Sequence, residues 1–307
     1  MTKLLALLGP TAAGKTRMSI EVAEVLADGG FTTEIVSCDS MAVYRGFDIV
    51  TDKPSPAERA RVPHHLLDLV EPSTDFTVVE YRERARAAID DITSRGAIPM
   101  LVGGSGLYFR AVVDELDFAP TSPEVRARLE REDPEQLFAR LREADPASAD
   151  RLDPRNVRRV VRAVEVLELT GRRPSDRRGG WDRPGERYDL TAVGLTWARQ
   201  ELFDRAAERA ARQIESGLVE EVRGVLAGGL SRTSRQALGI PEFVPVVEGS
   251  ATVAEAGHEL VRNTKAFIRR QLSWFRSDAR IGWVDASESG WDGARGEIVE
   301  RFVRGLS

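Results

Sequence analysis

The sequence predicts an α/β protein, a parallel sheet flanked by helices with an all-helical unit inserted into it. Three observations predict this. The apolar run Leu4–Leu8 breaks into a glycine-bounded turn and then a polar helical stretch. Two more short strands, Thr33–Ser37 and Ile98–Val102, end in turns of polar residues or glycine and are separated by helix-length segments, the alternation expected of a parallel sheet. From Ala119 the composition shifts to Pro, Glu, Arg, Asp and Ala with helical patterning and no strand signal, so the core is assigned to 1–118 and 186–307 and the insertion to 119–185.

Leu4–Leu8 is too short for a helix and too uniformly apolar for a surface strand, which marks a buried parallel strand. The turn after it, Gly9-Pro10-Thr11-Ala12-Ala13-Gly14-Lys15-Thr16, has the G-x-x-x-x-G-K-T spacing of a P-loop. Its glycines let backbone N–H groups converge at a helix N-terminus. Lys15 adds a point charge for a terminal phosphate, and the Thr16 hydroxyl is placed to ligate Mg²⁺. The motif leaves open whether a nucleotide triphosphate or an allylic diphosphate is held.

The first helix stops at Asp28-Gly29-Gly30, and the second strand delivers Asp39 to its carboxyl end, where open α/β sheets bind ligands. Asp39 is therefore the first candidate for a catalytic carboxylate, with a helix N-cap as the plainer reading. Residues 39–54, DSMAVYRGFDIVTDKP, lack periodicity and are expected to form a site-lining loop rather than a core element. Val62–Leu69 is a candidate strand. It holds His64 and His65, but without a cysteine cluster these do not make a zinc site. A helix from Asp75-Phe76-Thr77 to Arg95 follows, then the strand Ile98–Val102 and Gly103-Gly104-Ser105-Gly106, whose glycines suggest close approach of backbone to a ligand faced by Ser105.

Within the insertion, Arg155, Arg158, Arg159 and Arg162 share one helix face and Val157, Val160, Val161 and Val164 the other. Such a stripe is read either as a solvated face or as a contact for RNA phosphates. Gly179-Gly180 to Pro184-Gly185 marks the exit. Tyr188–Thr196 returns as a strand, and the next helix carries Arg205, Arg209 and Arg212 on one face. A strong helix from Ala254 to Arg276 presents Leu260, Val261, Thr264, Phe267, Ile268, Gln271 and Trp274 as its packing stripe.

The formal net charge of −5 argues against a protein that coats nucleic acid through bulk charge, yet permits a local basic groove. Only Lys3, Lys15, Lys53 and Lys265 are lysines among 44 basic side chains, so a lone arginine carries little information. No apolar run approaches the roughly 20 residues of a membrane span. With one cysteine, Cys38, and no signal segment, a cytoplasmic protein without membrane contact is expected.

Several stretches together resemble the tRNA dimethylallyltransferases, or tRNA isopentenyltransferases: GPTAAGKT (9–16), DSMAVYRGFDIVTDKP (39–54), PHHLLD (63–68), LVGGSGLY (101–108), RRVVRAVEV (158–166) and TKAFIRRQLSWFR (264–276). They run in the family's order over nearly the whole chain. The resemblance implies a P-loop NTPase-like fold with a tRNA-binding insertion, and transfer of a dimethylallyl group from its diphosphate to N6 of the adenine on the 3′ side of a tRNA anticodon, with Mg²⁺. It implies Asp39 as the base, Ser105 in the reacting region, and Lys15 and Arg205 on the departing diphosphate. It also implies that Asp39, Ser40, Met41, Ala42 and Ser105 line the path of a flipped base. In the inserted unit, Arg126, Arg158, Arg159, Val160, Val161 and Arg162 would meet the anticodon stem-loop. A monomer is expected. The family often has glutamine where Ala42 stands and glycine where Val50 stands. A small-molecule kinase and a non-catalytic RNA-binding protein are the rival readings, the first separated by its need for ATP as donor.

Overall fold

Strand β1 (Thr2–Leu8) lies inside a six-stranded, wholly parallel sheet, hydrogen-bonded to a neighbour on each side. The other strands are β2 (Thr33–Cys38), β3 (His64–His65), β4 (Ile98–Gly103), β5 (Tyr188–Thr196) and β6 (Ile281–Asp285), in the order β3-β2-β4-β1-β5-β6. The computed structural model describes residues 1–176 and 187–307. The predicted exit at 179–185 lies outside the described residues. The chain divides into two compact units, Met1–Val112 with Arg187–Ser307, and Val113–Glu186.

In the first unit, register places Leu5 opposite Met100 of β4 and Thr191 of β5, and Ile35 opposite Met100. Leu4 to Leu8 and Ile35 to Cys38 are buried on both faces, which is why they read as continuous rather than alternating apolar runs. The flanking helices are α1 (Lys15–Asp28), α2 (Asp48–Thr51), α3 (Pro56–Arg61), α4 (Val78–Ser94) and α5 (Gly106–Val113), the last reaching the unit boundary. Met18, Ile20, Leu26, Leu202, Ile268, Ile298 and Phe302 pack from helices against the sheet residues Leu5, Leu7, Met100 and Val193. Helix ends follow local chemistry: Ser55, Thr77 and Thr252 each form a capping box with the glutamate three residues on.

The second unit holds α6 (Pro123–Leu129), α7 (Pro134–Ala144), α8 (Pro146–Ala149) and α9 (Val157–Thr170). Leu129, Leu137, Leu141, Val160, Val161 and Val164 make its core. After it the first unit resumes with α10 (Arg199–Glu215), α11 (Leu218–Ala227), α12 (Ile240–Val247), α13 (Val253–Arg276) and α14 (Ala286–Leu306). Among the described residues no helix is long and apolar enough to cross a membrane.

Four sequence expectations are corrected. The candidate strand over 62–69 shrinks to His64–His65, since two residues suffice to edge β2 before the chain turns through left-handed Leu66 and Asp68. Residues 39–54 are not a bare loop: Val43, Tyr44 and Phe47 are fully buried and α2 forms one turn, so the segment lines the site with one side and fills core with the other. Arg155 lies before α9, whose N-cap is Asn156, and pairs with Asp153 at 3.0 Å. Val157 is 37% exposed rather than part of the apolar face.

Candidate functional site

Parallel strands all point one way, so the turns after β1, β2, β4 and β5 gather at one end of the sheet. A cavity of about 860 Å³ opens there, within the first unit. Thr11, Ala12, Gly14, Lys15 and Thr16 form one wall, Asp39 to Ala42 the next, and Gly103 to Leu107 a third. Arg205, Arg209 and Arg212 of α10, with Phe267, Arg270, Gln271 and Trp274 of α13, line it as well. Gly9, Pro10 and Ala13 are buried and support the turn without lining the cavity.

The phosphate turn is held from several sides. The Thr11 N–H donates to Gln271 Oε1 at 2.9 Å, and Arg209 Nη1 donates to the Thr11 hydroxyl at 2.6 Å. Lys15 Nζ donates to the Pro10 carbonyl at 2.8 Å. Burial pushes the Lys15 ammonium down to about 8, against the opposing pull of the Asp39 carboxylate. Arg205 Nε donates to the Ala12 carbonyl at 3.0 Å, and burial lowers its guanidinium from the usual range. The start of α1 therefore meets the cavity with clustered cations, an arrangement suited to a phosphate anion.

Asp39 shows the cap-like geometry of its plainer reading and leaves one carboxylate oxygen without a donor among the described residues. Its Oδ1 accepts the N–H groups of Met41 at 2.8 Å and Ala42 at 3.3 Å, the cap-like role, while Oδ2 has no donor among the described residues. Fixed through one oxygen, the carboxylate keeps the other available as a proton acceptor. Ser40 and Met41 border it, and Ala42 is 5% exposed.

The rest of that segment is clamped from α10 and α11. Glu221 accepts the N–H groups of Asp48 (3.0 Å), Ile49 (2.7 Å) and Val50 (2.8 Å), while Gln213 Nε2 donates to the Ile49 and Val50 carbonyls at 2.5 and 3.2 Å. Burial raises the Glu221 carboxyl despite these donors. Lys53, its side chain 1% exposed, donates to the Tyr44 carbonyl at 2.6 Å and pairs with Asp68 at 2.6 Å. Glu221 and Gln213 escaped the sequence reading because each works on backbone far away along the chain, whereas Lys53 lies within the 39–54 segment and ties it to nearby residues.

Ser105 lies on the cavity wall as expected, its backbone N–H on the Cys38 carbonyl at 3.3 Å. The glycines beside it are also required by the protein's own packing. A Cβ on Gly103 would fall 2.0 Å from the Cys38 carbonyl oxygen and one on Gly106 2.0 Å from the Trp274 ring. Protein thus approaches them closely on one side, and Gly103, Gly104 and Gly106 line the cavity on another. The stripe assigned to α13 is likewise redistributed: Phe275 belongs to its buried face, whereas Phe267, Gln271 and Trp274 face the cavity. Gln271, the longest polar side chain in a largely apolar stripe, was the signal that could have revealed this.

In the second unit Arg158 and Arg159 are exposed on α9. Arg162 donates to the Ala119 and Pro120 carbonyls at 2.7 and 2.9 Å and to Glu165 at 2.7 Å, and Arg126 donates to the same carboxylate at 2.6 Å. Glu165 is fully buried. Burial raises its pKa, but the two arginines, the Ser122 N–H and the Thr121 hydroxyl outweigh that and hold it at about 2. Val160 and Val161, each 1% exposed, pack into the unit's core, so their side chains have no surface for RNA and that expectation is corrected.

Among the described residues no three His, Cys, Asp or Glu side chains gather as a metal cage. The Thr16 hydroxyl on the cavity wall fits a hard divalent ion that takes its remaining ligands from substrate phosphate and water.

The family model described as IPP transferase matches residues 42–278. Over 290 residues the chain is 46% identical to the tRNA dimethylallyltransferase of Thermobifida fusca (strain YX), covering 92% of this chain and 90% of the relative. The full-length tRNA isopentenylpyrophosphate transferase from Bacillus halodurans superposes with a TM-score of 0.73 at 36% identity, covering 100% of this chain and 97% of that one. A eukaryotic dimethylallyltransferase acting on tRNA gives a TM-score of 0.80 at 25% identity, covering 97% of this chain and 77% of that one.

Proposed function

The chain belongs to the IPP transferase family, and on that premise we propose that it is a tRNA dimethylallyltransferase. It transfers the dimethylallyl group of dimethylallyl diphosphate to N6 of adenosine 37, beside the anticodon, giving N6-isopentenyladenosine. The observation that carries this reading is the opening of the phosphate turn and the unengaged Asp39 oxygen onto one cavity. A diphosphate and an acceptor amine bound there have a cradle on one side and a base on the other.

An exocyclic adenine amine is a weak nucleophile because its lone pair is delocalised. As its nitrogen bonds to the allylic carbon, the carbon–oxygen bond to diphosphate breaks and Asp39 takes the N6 proton. Charge then grows on the leaving group, where the loop amides, Lys15 and Arg205 oppose it. Mg²⁺, held through Thr16 and the diphosphate itself, would add Lewis-acid neutralisation of that charge. Ser105 contributes a hydroxyl at the reacting region, and Leu107, Phe267 and Trp274 supply apolar wall that keeps water from the allylic carbon.

The target base must leave its stack to enter the cavity, past Ser40, Met41 and Ala42. Arg158 and Arg159 supply phosphate contacts to the anticodon stem-loop. Arg126 and Arg162 are assigned to the same surface through their hold on Glu165. The protein acts as a monomer in the cytoplasm in this reading. It is tested with Mg²⁺, unmodified tRNA and labelled dimethylallyl diphosphate, beside a tube with γ-labelled ATP. Label on tRNA from the allylic donor alone is expected. Phosphate transfer or ATP hydrolysis without it would favour the kinase reading instead.

A further inference from the structure

Four side chains, drawn from α1, α10, α14 and the end of β5, form a layered stack behind the phosphate turn. The Arg205 guanidinium lies 4.3 Å from the Trp197 ring centroid. Trp197 and Trp291 stack at 6.3 Å with planes 20° apart, and the Arg17 guanidinium closes the far end 4.6 Å from the Trp291 ring. Trp291 donates its own N–H to Glu21 at 2.7 Å, and Glu21 also pairs with Arg17 and Arg295. The two stacked indoles attract one another and each attracts the guanidinium on its outer face, so the layers hold one another in place.

The stack grips the loop by its carbonyls. Trp197 Nε1 donates to the Ala13 oxygen at 3.0 Å, next to the bond from Arg205 to the Ala12 oxygen. Ala12 sits at φ +65°, a region sparsely populated by alanine, so the turn needs such outside anchors to keep its shape. In a trans peptide the C=O and N–H point in opposite directions. Pinning the Ala13 oxygen outside therefore aims the Gly14 N–H inward, where no described residue accepts it. Trp291 closes the other side: a Cβ on Gly14 would stand 3.0 Å from Trp291 Cζ3 and 3.2 Å from Arg205 Nη2.

We propose that Trp197, backed by Trp291, is a positioning residue for the diphosphate. Its N–H turns the peptide between Ala13 and Gly14 so that the amide faces the leaving group, and its ring face keeps Arg205 beside the cradle. The inference rests on the reading that this loop binds diphosphate. Trp197 acts through the loop and not on the reacting atoms.

Trp197→Phe keeps a ring under Arg205 and removes the N–H, whereas Trp197→Leu removes both. With tRNA saturating, Trp197→Phe is expected to raise the KM for dimethylallyl diphosphate about 5- to 10-fold, with the tRNA KM and the unfolding midpoint little changed. Trp197→Leu should also lower kcat about tenfold as Arg205 loses its support. Binding of inorganic pyrophosphate should weaken by the same ratio as the donor KM rises, which reads the cradle independently of the reaction. Failure of the wild-type protein to transfer the allyl group would sink the assigned reaction. Equal pyrophosphate affinity in wild type and Trp197→Phe would overturn the role of Trp197, as would equal losses for donor and tRNA. Should Trp197→Phe not fold, Trp291→Leu carries the test: weaker pyrophosphate binding supports the stack and unchanged binding overturns it.

Discussion

Gln271, on α13, accepts the backbone N–H of Thr11 at 2.9 Å. The other end of its amide donates to the Gly104 carbonyl at 2.8 Å, so one side chain ties the turn after β1 to the turn after β4. Both bonds are lost in Gln271→Leu, while Gln271→Glu loses only the donor. Steady-state kinetics should show kcat/KM for the donor falling about 10- to 100-fold in Gln271→Leu, with Gln271→Glu between it and wild type. Wild-type kinetics in Gln271→Leu would mean that the two turns hold their spacing without it.

Asp39→Asn keeps an oxygen for the Met41 and Ala42 amides but removes the base. Single-turnover transfer should slow by about 10²- to 10⁴-fold while tRNA affinity, measured by filter binding, stays near wild type. Transfer at the wild-type rate would assign the proton to another acceptor.

Lys15 gives a pH dependence with a definite sign. Its folded pKa is lowered from 10.5 to about 8, chiefly by burial, so the free enzyme loses this charge as pH rises through about 8. Donor affinity should be full below that pH and decline above it, by up to about tenfold per pH unit until other groups compensate. For stability the direction is opposite: between about 8 and 10.5 the unfolded chain binds the extra proton, so this group's contribution rises with pH. A donor KM that stays flat from neutral pH to well above 8 in the wild type, and equally flat in Lys15→Arg, would remove Lys15 from diphosphate binding.

Glu165 predicts an acid limit for the helical unit. Its folded value of about 2 lies below the ordinary 4.5, so its stabilisation is present above 4.5 and is lost as pH falls toward 2. Glu165→Gln leaves Arg126 and Arg162 without their carboxylate. Because those arginines are 27% and 36% exposed, the loss should be about 2 kcal/mol rather than the larger cost of a fully sealed pair. Hydrogen exchange on α6 and α9 should rise in the variant at neutral pH, and unaltered exchange there would show that the cluster is not stabilising.

The core strands and much of the cavity wall were legible because both are local signals. Leu4–Leu8, the glycine-bounded turn and Asp39 stand within short windows whose spacing dictates strand, turn and helix. Gln271, Trp197 and Glu221 were not legible as site residues, since their partners lie 260, 184 and about 172 positions away along the chain. Periodicity also misled at α13, where one helix serves both the core and the cavity and an apolar stripe does not tell Phe275 from Trp274. The valines of α9 show the same limit: Val160 and Val161 are core, yet Val157 at the first turn stays exposed because the helix begins there.

The place of β1 within the sheet has a consequence for synthesis on the ribosome. β1 pairs on one side with β4 and on the other with β5, whose residues are made only after the whole helical unit. Until then the growing chain carries the apolar run Leu4–Leu8 with a bare edge, a template for aggregation. Trp197, Arg205 and Gln271 arrive later still, so a nascent or truncated chain that already contains the complete phosphate turn lacks the groups that shape it.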